Sequence, residues 1–205
     1  DRGRAQQTDE STAGVPYVKM NNVSMDGRVG YAGIVHVPAN QEEAARFCLR
    51  EGDLLFYTRN SKELVGKVGL VRSPPPRAIY NNNLMRIRLW EGIAPAFLTY
   101  QMCSEGFRRR LELVKKATTS VAAVYAKDLL PLAILLPPLA EQLRIVAEAI
   151  AASASSTSSK PSSPPTSSAP PACASPSSSA PSPASSSARE GVGGWILVRN
   201  IAMFF

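Results

Sequence analysis

The polar run Thr58-Arg59-Asn60-Ser61-Lys62 follows an apolar stretch, Leu54 to Tyr57, and carries side chains that can both donate to and accept from base edges. Arginine suits guanine and asparagine suits adenine, because each presents a fork that matches paired positions on that base's groove edge. The runs Tyr80-Asn81-Asn82-Asn83 and Ala117 to Tyr125, the latter holding Thr118, Thr119 and Ser120, offer more of the same chemistry. Lys67, Arg86, Arg88, Lys115 and Lys116 are better suited to phosphates, which fix register without reporting sequence. The competing account of residues 58–62 is a structural turn in which Asn60 and Ser61 bond their own backbone. For Arg108, Arg109 and Arg110 a solvated helix face is at least as good an account as a nucleic-acid contact.

Other chemistries lack their residues. Ser73-Pro74-Pro75-Pro76 has the prolines of a methyltransferase loop that grips a flipped base, without the aromatic that would stack on it. Gly66-Lys67 has neither the upstream glycine nor the following Ser or Thr of a phosphate-binding loop. His36 lies in an apolar strand pattern, which fits a half-buried or edge histidine rather than a general base. Cys48, Cys103 and Cys173 are odd in number and far apart, so no disulfide framework or zinc spacing is evident. A reducing cytoplasm is the expected compartment. No apolar leader opens the chain, and no stretch reaches the ~18 apolar residues of a membrane helix.

The 205 residues carry a net charge of +7, and residues 1–150 hold 20 Lys and Arg against 15 Asp and Glu, a balance of +5. That sign favours phosphate partners without requiring them. About 150 residues suffice for one packed core. Strands are expected at Val15–Met20 and Val29–Val37 around a turn at Asp26-Gly27, and at Leu54–Tyr57, Lys67–Val71 and Leu84–Trp90. The last alternates after Met85, which predicts one wet sheet face carrying Arg86 and Arg88. Asn40 and Glu43 have the spacing of a reciprocal helix cap, so a short helix should run from there to about Leu49. Residues 94–117 read as helical with a break near Gly106. The fold class is α/β (α+β): a twisted, largely antiparallel sheet with flanking helices.

The most telling run is Leu132-Ala133-Ile134-Leu135-Leu136-Pro137-Pro138-Leu139-Ala140-Glu141-Gln142-Leu143-Arg144-Ile145-Val146. It reads as a short buried strand, a double-proline stop and an amphipathic helix, with Leu139, Leu143 and Val146 on one face and Glu141, Gln142 and Arg144 on the other. It resembles the signature that closes the target recognition domain in specificity subunits of type I restriction-modification enzymes. Glu51 to Lys67 is similar to the same domain's central segment, and Val15 to Val23 with Asp26-Gly27-Arg28 to its opening strand and turn. The three matches keep the family's order and cover roughly Gly14 to Ala149. Two departures stand out: Tyr57-Thr58-Arg59-Asn60 replaces an Asn-Arg-Thr-Asn order, and Ala117 to Val124 replaces a Gly-Gln-Ala-Asn-Ile type of run.

The resemblance implies a non-catalytic subunit that reads one half of a bipartite site in double-stranded DNA. Methylation subunits would carry S-adenosylmethionine, ATP-dependent cleavage and translocation subunits would dock through them, and the chain itself would hold no cofactor. A complete reader would need a second recognition domain or a homodimer. Lys19, Asn21 and Asn22, after the opening strand, join the expected DNA-binding residues. Because relatives with different targets share the central motif, structural and phosphate roles outweigh base reading at residues 58–62. Two other classes stay open: an adaptor module binding protein through residues 139–150, and a fragment of a self-contained restriction or methylation enzyme.

Residues 1–13 are polar and read as an incomplete start, 14–150 as the recognition domain, and 151–205 as a low-complexity tail. From Ala151 to Ala188 Ser, Ala and Pro dominate, with no aromatic and no Leu, Ile or Val, so no core can be built there. The family continues at this point with a long helix, and a one-nucleotide slip in a GC-rich gene would turn its Leu, Val, Arg and Ala codons into this composition. The chain is therefore expected to run out of frame near residues 150–152. The apolar end, Gly191 to Phe205, would then be accidental.

Overall fold

The computed structural model describes residue 3 and residues 14–118, 121–157 and 196–198, of which 154–157 and 196–198 are described by their backbone alone. The order is β1 (Val15–Val18), β2 (Val35–Val37), α1 (Gln41–Arg46), β3 (Leu54–Tyr57), β4 (Arg59–Asn60), β5 (Val68–Leu70), β6 (Ile79–Tyr80) and β7 (Leu84–Ile87). Then come α2 (Pro95–Cys103), α3 (Glu105–Val114), β8 (Lys116–Ala117), β9 (Ala122–Ala123), α4 (Ala126–Leu129), β10 (Ile134–Leu136), α5 (Leu139–Thr157) and β11 (Ile196–Val198). The strands are shared among small sheets with orders β2-β1-β6, β5-β3-β7, β4-β9-β8 and β10-β11. Every pair is antiparallel except β1 with β6. The mixed, largely antiparallel reading of the sequence holds.

β3 is the spine. All four of its residues are buried, since it is paired on both edges and covered on both faces. Leu54 and Phe56 join a cluster with Val68, Ile87, Leu98, Phe107 and Leu111, while Leu55 and Tyr57 face a second cluster with Val18, Val71, Tyr80 and Leu84. This explains a continuous apolar run where a one-sided strand would alternate. Gly66 sits at φ +90°, and a Cβ there would collide with Leu111 Cδ2. The Gly-Lys pair that fails as a phosphate loop is thus a turn glycine packed under α3.

Several local expectations hold. Asn40 Oδ1 accepts from Glu43 N–H at 2.8 Å, and Glu43 Oε2 accepts from Asn40 N–H at 3.3 Å, which starts α1 as the spacing predicts. Others need correction. Residues 29–34 form no strand; β2 begins only at Val35. The helical region breaks at Ser104, whose extended backbone and hydroxyl cap the Phe107 N–H, and Lys116-Ala117 leaves the helix for a strand.

The expected wet face on β7 is also overturned. Arg86 is buried, donating to Cys48 O at 2.9 Å and Arg46 O at 3.3 Å. Arg88 grips the buried Asp53 carboxylate with two bonds of 2.8 Å. Alternation reports which residues share a face; it does not report whether another segment covers that face.

The amphipathic reading of α5 inverts in the same way. Leu139 and Leu143 are 45 % and 55 % exposed, whereas Gln142 is 1 % exposed. Its Oε1 accepts from Ala94 N–H at 2.8 Å, and its Nε2 donates to Gly92 O at 3.0 Å and Pro137 O at 2.9 Å. The helix runs to Thr157, past the boundary expected at 150, and Ile196–Val198 pairs with Ile134–Leu136. The rest of 151–205, and all of 1–13 except Gly3, lie outside the described residues.

Two stability outcomes follow. Gly66→Ala combines left-handed strain with overpacking and should cost about 2–4 kcal/mol, read as a lower urea midpoint with an unchanged slope. Gln142→Leu keeps apolar bulk and strips Ala94 N–H of its buried partner, so about 3 kcal/mol should be lost. A midpoint within error of the parent chain would show that this tie contributes nothing.

Candidate nucleic-acid interface

The expected site residues divide sharply once their partners are placed. Tyr80 is fully buried in β6; its ring stands edge-on to Phe47 with centroids 6.2 Å apart, and burial pushes its phenol up to about 12. Asn81 is also buried, donating to Tyr17 Oη at 2.9 Å and accepting from Asn83 N–H at 2.8 Å. Asn83 O in turn accepts from both the backbone N–H and the hydroxyl of Thr58, each at 2.9 Å. Thr58 and Asn81, with the backbone of Asn83, therefore tie β3 and β1 to the turn between β6 and β7. Asn82 is half-buried at the turn.

Residues 60–62 form the structural turn weighed from sequence. Asn60 Oδ1 accepts from Ser61 N–H at 2.8 Å, the self-bonded turn, and Asn60 Nδ2 points to Met20 Sδ at 3.4 Å. Ser61 O accepts from Leu64 and Val65 N–H, and Lys62 O accepts from Lys115 Nζ at 3.0 Å. Lys115 also meets Glu112 at 2.5 Å, and its side chain is only 8 % exposed, so it clamps α3 to this loop. Lys67 lies 5.3 Å from the Tyr57 ring centre, and desolvation holds its ammonium below the ordinary lysine range against an opposing pull from Asp26. Near the first strand, Asn22 Oδ1 accepts from Lys19 N–H at 2.9 Å, whereas Asn21 is exposed.

Arg59 and Lys116 stand apart from this interior set. Both are exposed, and both sit on the ribbon β4-β9-β8, where Arg59 and Lys116 each pair with Ala123. The ribbon is joined to the core through Val124 N–H, which donates to Thr58 O at 2.9 Å. Thr118 closes the tip, its N–H and hydroxyl reaching Val121 O at 2.8 and 3.0 Å. Thr119 and Ser120 lie outside the described residues. Arg59, Lys116, Ala117, Thr118, Val121, Ala123 and Tyr125 line an open cleft of about 450 Å³.

The ribbon thus gathers two expected cations, Arg59 and Lys116, with the expected Thr118. It adds Val121 and Tyr125, 42 % and 38 % exposed, which sequence reasoning placed in a variable run without assigning them a role. A period-two reading of Val121, Ala123 and Tyr125 could have found them. Among the described residues no cluster of His, Cys, Asp or Glu could hold a metal ion, and no helix is long and apolar enough to cross a membrane.

Comparison with known proteins supplies the context. The type I restriction enzyme EcoKI specificity subunit of Escherichia coli K12 is 30% identical over 146 residues, covering 70% of this chain and 31% of that protein. The putative type I restriction enzyme MjaX specificity subunit of Methanocaldococcus jannaschii is 27% identical over 145 residues, covering 70% of this chain and 34% of that protein. A chain from a structural study of complex assembly and conformational transition in the type I R-M system shares the fold, with a TM-score of 0.55 at 22% identity over 77% of this chain and 36% of that one. No family profile matches. This protein is a homologue of type I restriction enzyme specificity subunits, and it spans about a third of the length of the curated relatives it matches.

Proposed function

We propose that residues 14–150 form a target recognition domain that binds duplex DNA without catalysis and reads one half of a bipartite site for a type I restriction-modification complex. The observation that carries this reading is the exposed ribbon with its two exposed cations, set in a chain homologous to specificity subunits and charged +7 overall. The major groove admits a two-stranded ribbon such as the β4–β9 pair that carries Arg59, and phosphate neutralisation supplies affinity that is independent of sequence. In the assembly, methylation subunits bring S-adenosylmethionine and the cleavage subunits bring ATP.

A protein partner for α5 is part of the same proposal. Leu139, Leu143 and Ile150 are 45 %, 55 % and 48 % exposed on the helix, at spacings that keep them on one side. Such a stripe is suited to a second helix, from another recognition domain or from a second copy of this chain. Glu141, Arg144 and Glu148 pair along the adjoining polar side.

Binding of a labelled duplex to the full chain at salt concentrations from 50 to 400 mM tests the reading. The association constant should fall linearly with salt on logarithmic axes, with a slope of about −0.9 per phosphate contacted. Lys116→Ala should make that slope about one unit shallower. A chain that binds no duplex at 50 mM salt, yet captures a methylation subunit through α5, would establish the adaptor alternative instead.

A further inference from the structure

Residues paired across antiparallel strands share a face, so Arg59, Ala123 and Lys116 form one row across the ribbon. Neighbouring members of such a row are about 5 Å apart at Cα. Alanine at the centre leaves open space between two long cations. Val121 and Tyr125, two residues on either side of Ala123, extend the row along the strand direction as an apolar line. Lys116 Nζ lies 5.6 Å from the Tyr125 ring centre and 3.8 Å from Asp128 Oδ2, which holds it at one end of the row. Arg59 at the other end is exposed and has no hydrogen bond or ion pair among the described residues.

Building on the DNA-binding reading, we propose that this row is the base-reading face, with Arg59 donating to a guanine and Val121 contacting the 5-methyl group of a neighbouring thymine. The arginine fork matches guanine O6 and N7, and apolar side chains distinguish thymine by its methyl group. Beside the row, two asparagines that could grip adenine are committed elsewhere: both ends of the Asn60 amide are engaged, and Asn81 is buried against Tyr17. Lys116 and Tyr125 act as positioning residues, the ammonium against a phosphate and the ring against the adjoining sugar.

Selection of the full chain on a randomised duplex library, followed by titration of the best duplex, tests this. The selected site should contain guanine beside thymine. Arg59→Ala should lose preference at the guanine by about tenfold or more, while Arg59→Lys keeps part of it. Exchanging the thymine for deoxyuridine, which removes only the methyl group, should weaken the parent chain and leave Val121→Ala unaffected. Matched thermal unfolding of the variants guards against lost folding. Variants that weaken every duplex equally would overturn the proposal and make the row a phosphate clamp, and variants that bind as the parent does would remove it from the interface. A parent chain that binds no duplex at all would overturn the DNA-binding reading beneath it.

Discussion

One buried amide fixes the relation between the two halves of this fold. Gln142 is the first buried residue after the double proline, and its three hydrogen bonds hold the turn before α2, the end of β10 and the first turn of α5 at one point. A glutamine amide in this position saturates both donors and its acceptor within a site that water does not reach. Such a group is costly to bury without partners and specific when it has them, because any shift of α5 by one residue would orphan all three bonds. The angle at which α5 leaves the domain is set there, and so is the side that its leucines present. An apolar residue at 142 could add burial, but it could not define rotation.

The same economy governs the charges. Of the basic residues that sequence alone assigns to phosphates, Arg86 and Arg88 are drawn into the sheet's edge, where Arg86 closes the carbonyls behind α1 and Arg88 neutralises Asp53. Lys115 ties a helix end to a loop carbonyl. A buried arginine serves these tasks because its fork bonds several oxygens at once while its stem fills apolar space. Of that basic set, Lys116 is the one left exposed on the ribbon, beside Arg59. The candidate interface is therefore defined by subtraction as much as by its own residues, and a positive net charge says little about where contact occurs.

Legibility of the sequence followed the range of the interactions involved. The α1 cap was readable because Asn40 and Glu43 satisfy each other within one turn, and β3 because four buried apolar residues in a row admit few alternatives. The turn within Asn60-Ser61 was equally local. Errors arose where the partner was distant: Asn81 meets Tyr17 across 64 positions and Gln142 meets Ala94 across 48. A polar side chain far from its partner in sequence carries no periodic trace of burial, so Asn81 resembled a base reader and Gln142 a solvent-facing helix residue. Family resemblance marked out segments without revealing which of their polar atoms turn inward.

This division explains how such a domain can vary its target while keeping its scaffold. The inward set, Asp53, Asn81 and Gln142, cannot change singly, since each replacement leaves a distant polar group without its partner. Arg59 and Val121 on the ribbon obey no such constraint: Arg59 has no side-chain partner among the described residues, and Val121 meets solvent. Between Tyr125 and α5 lie only α4, β10 and the double proline, a short connection of packed elements. If the ribbon reads bases as proposed, a substitution there would change what is read without altering how α5 leaves the domain. On that reading recognition and assembly would be separable, because Asn81 and Gln142 hold the scaffold from inside while Arg59 and Val121 stay on its surface.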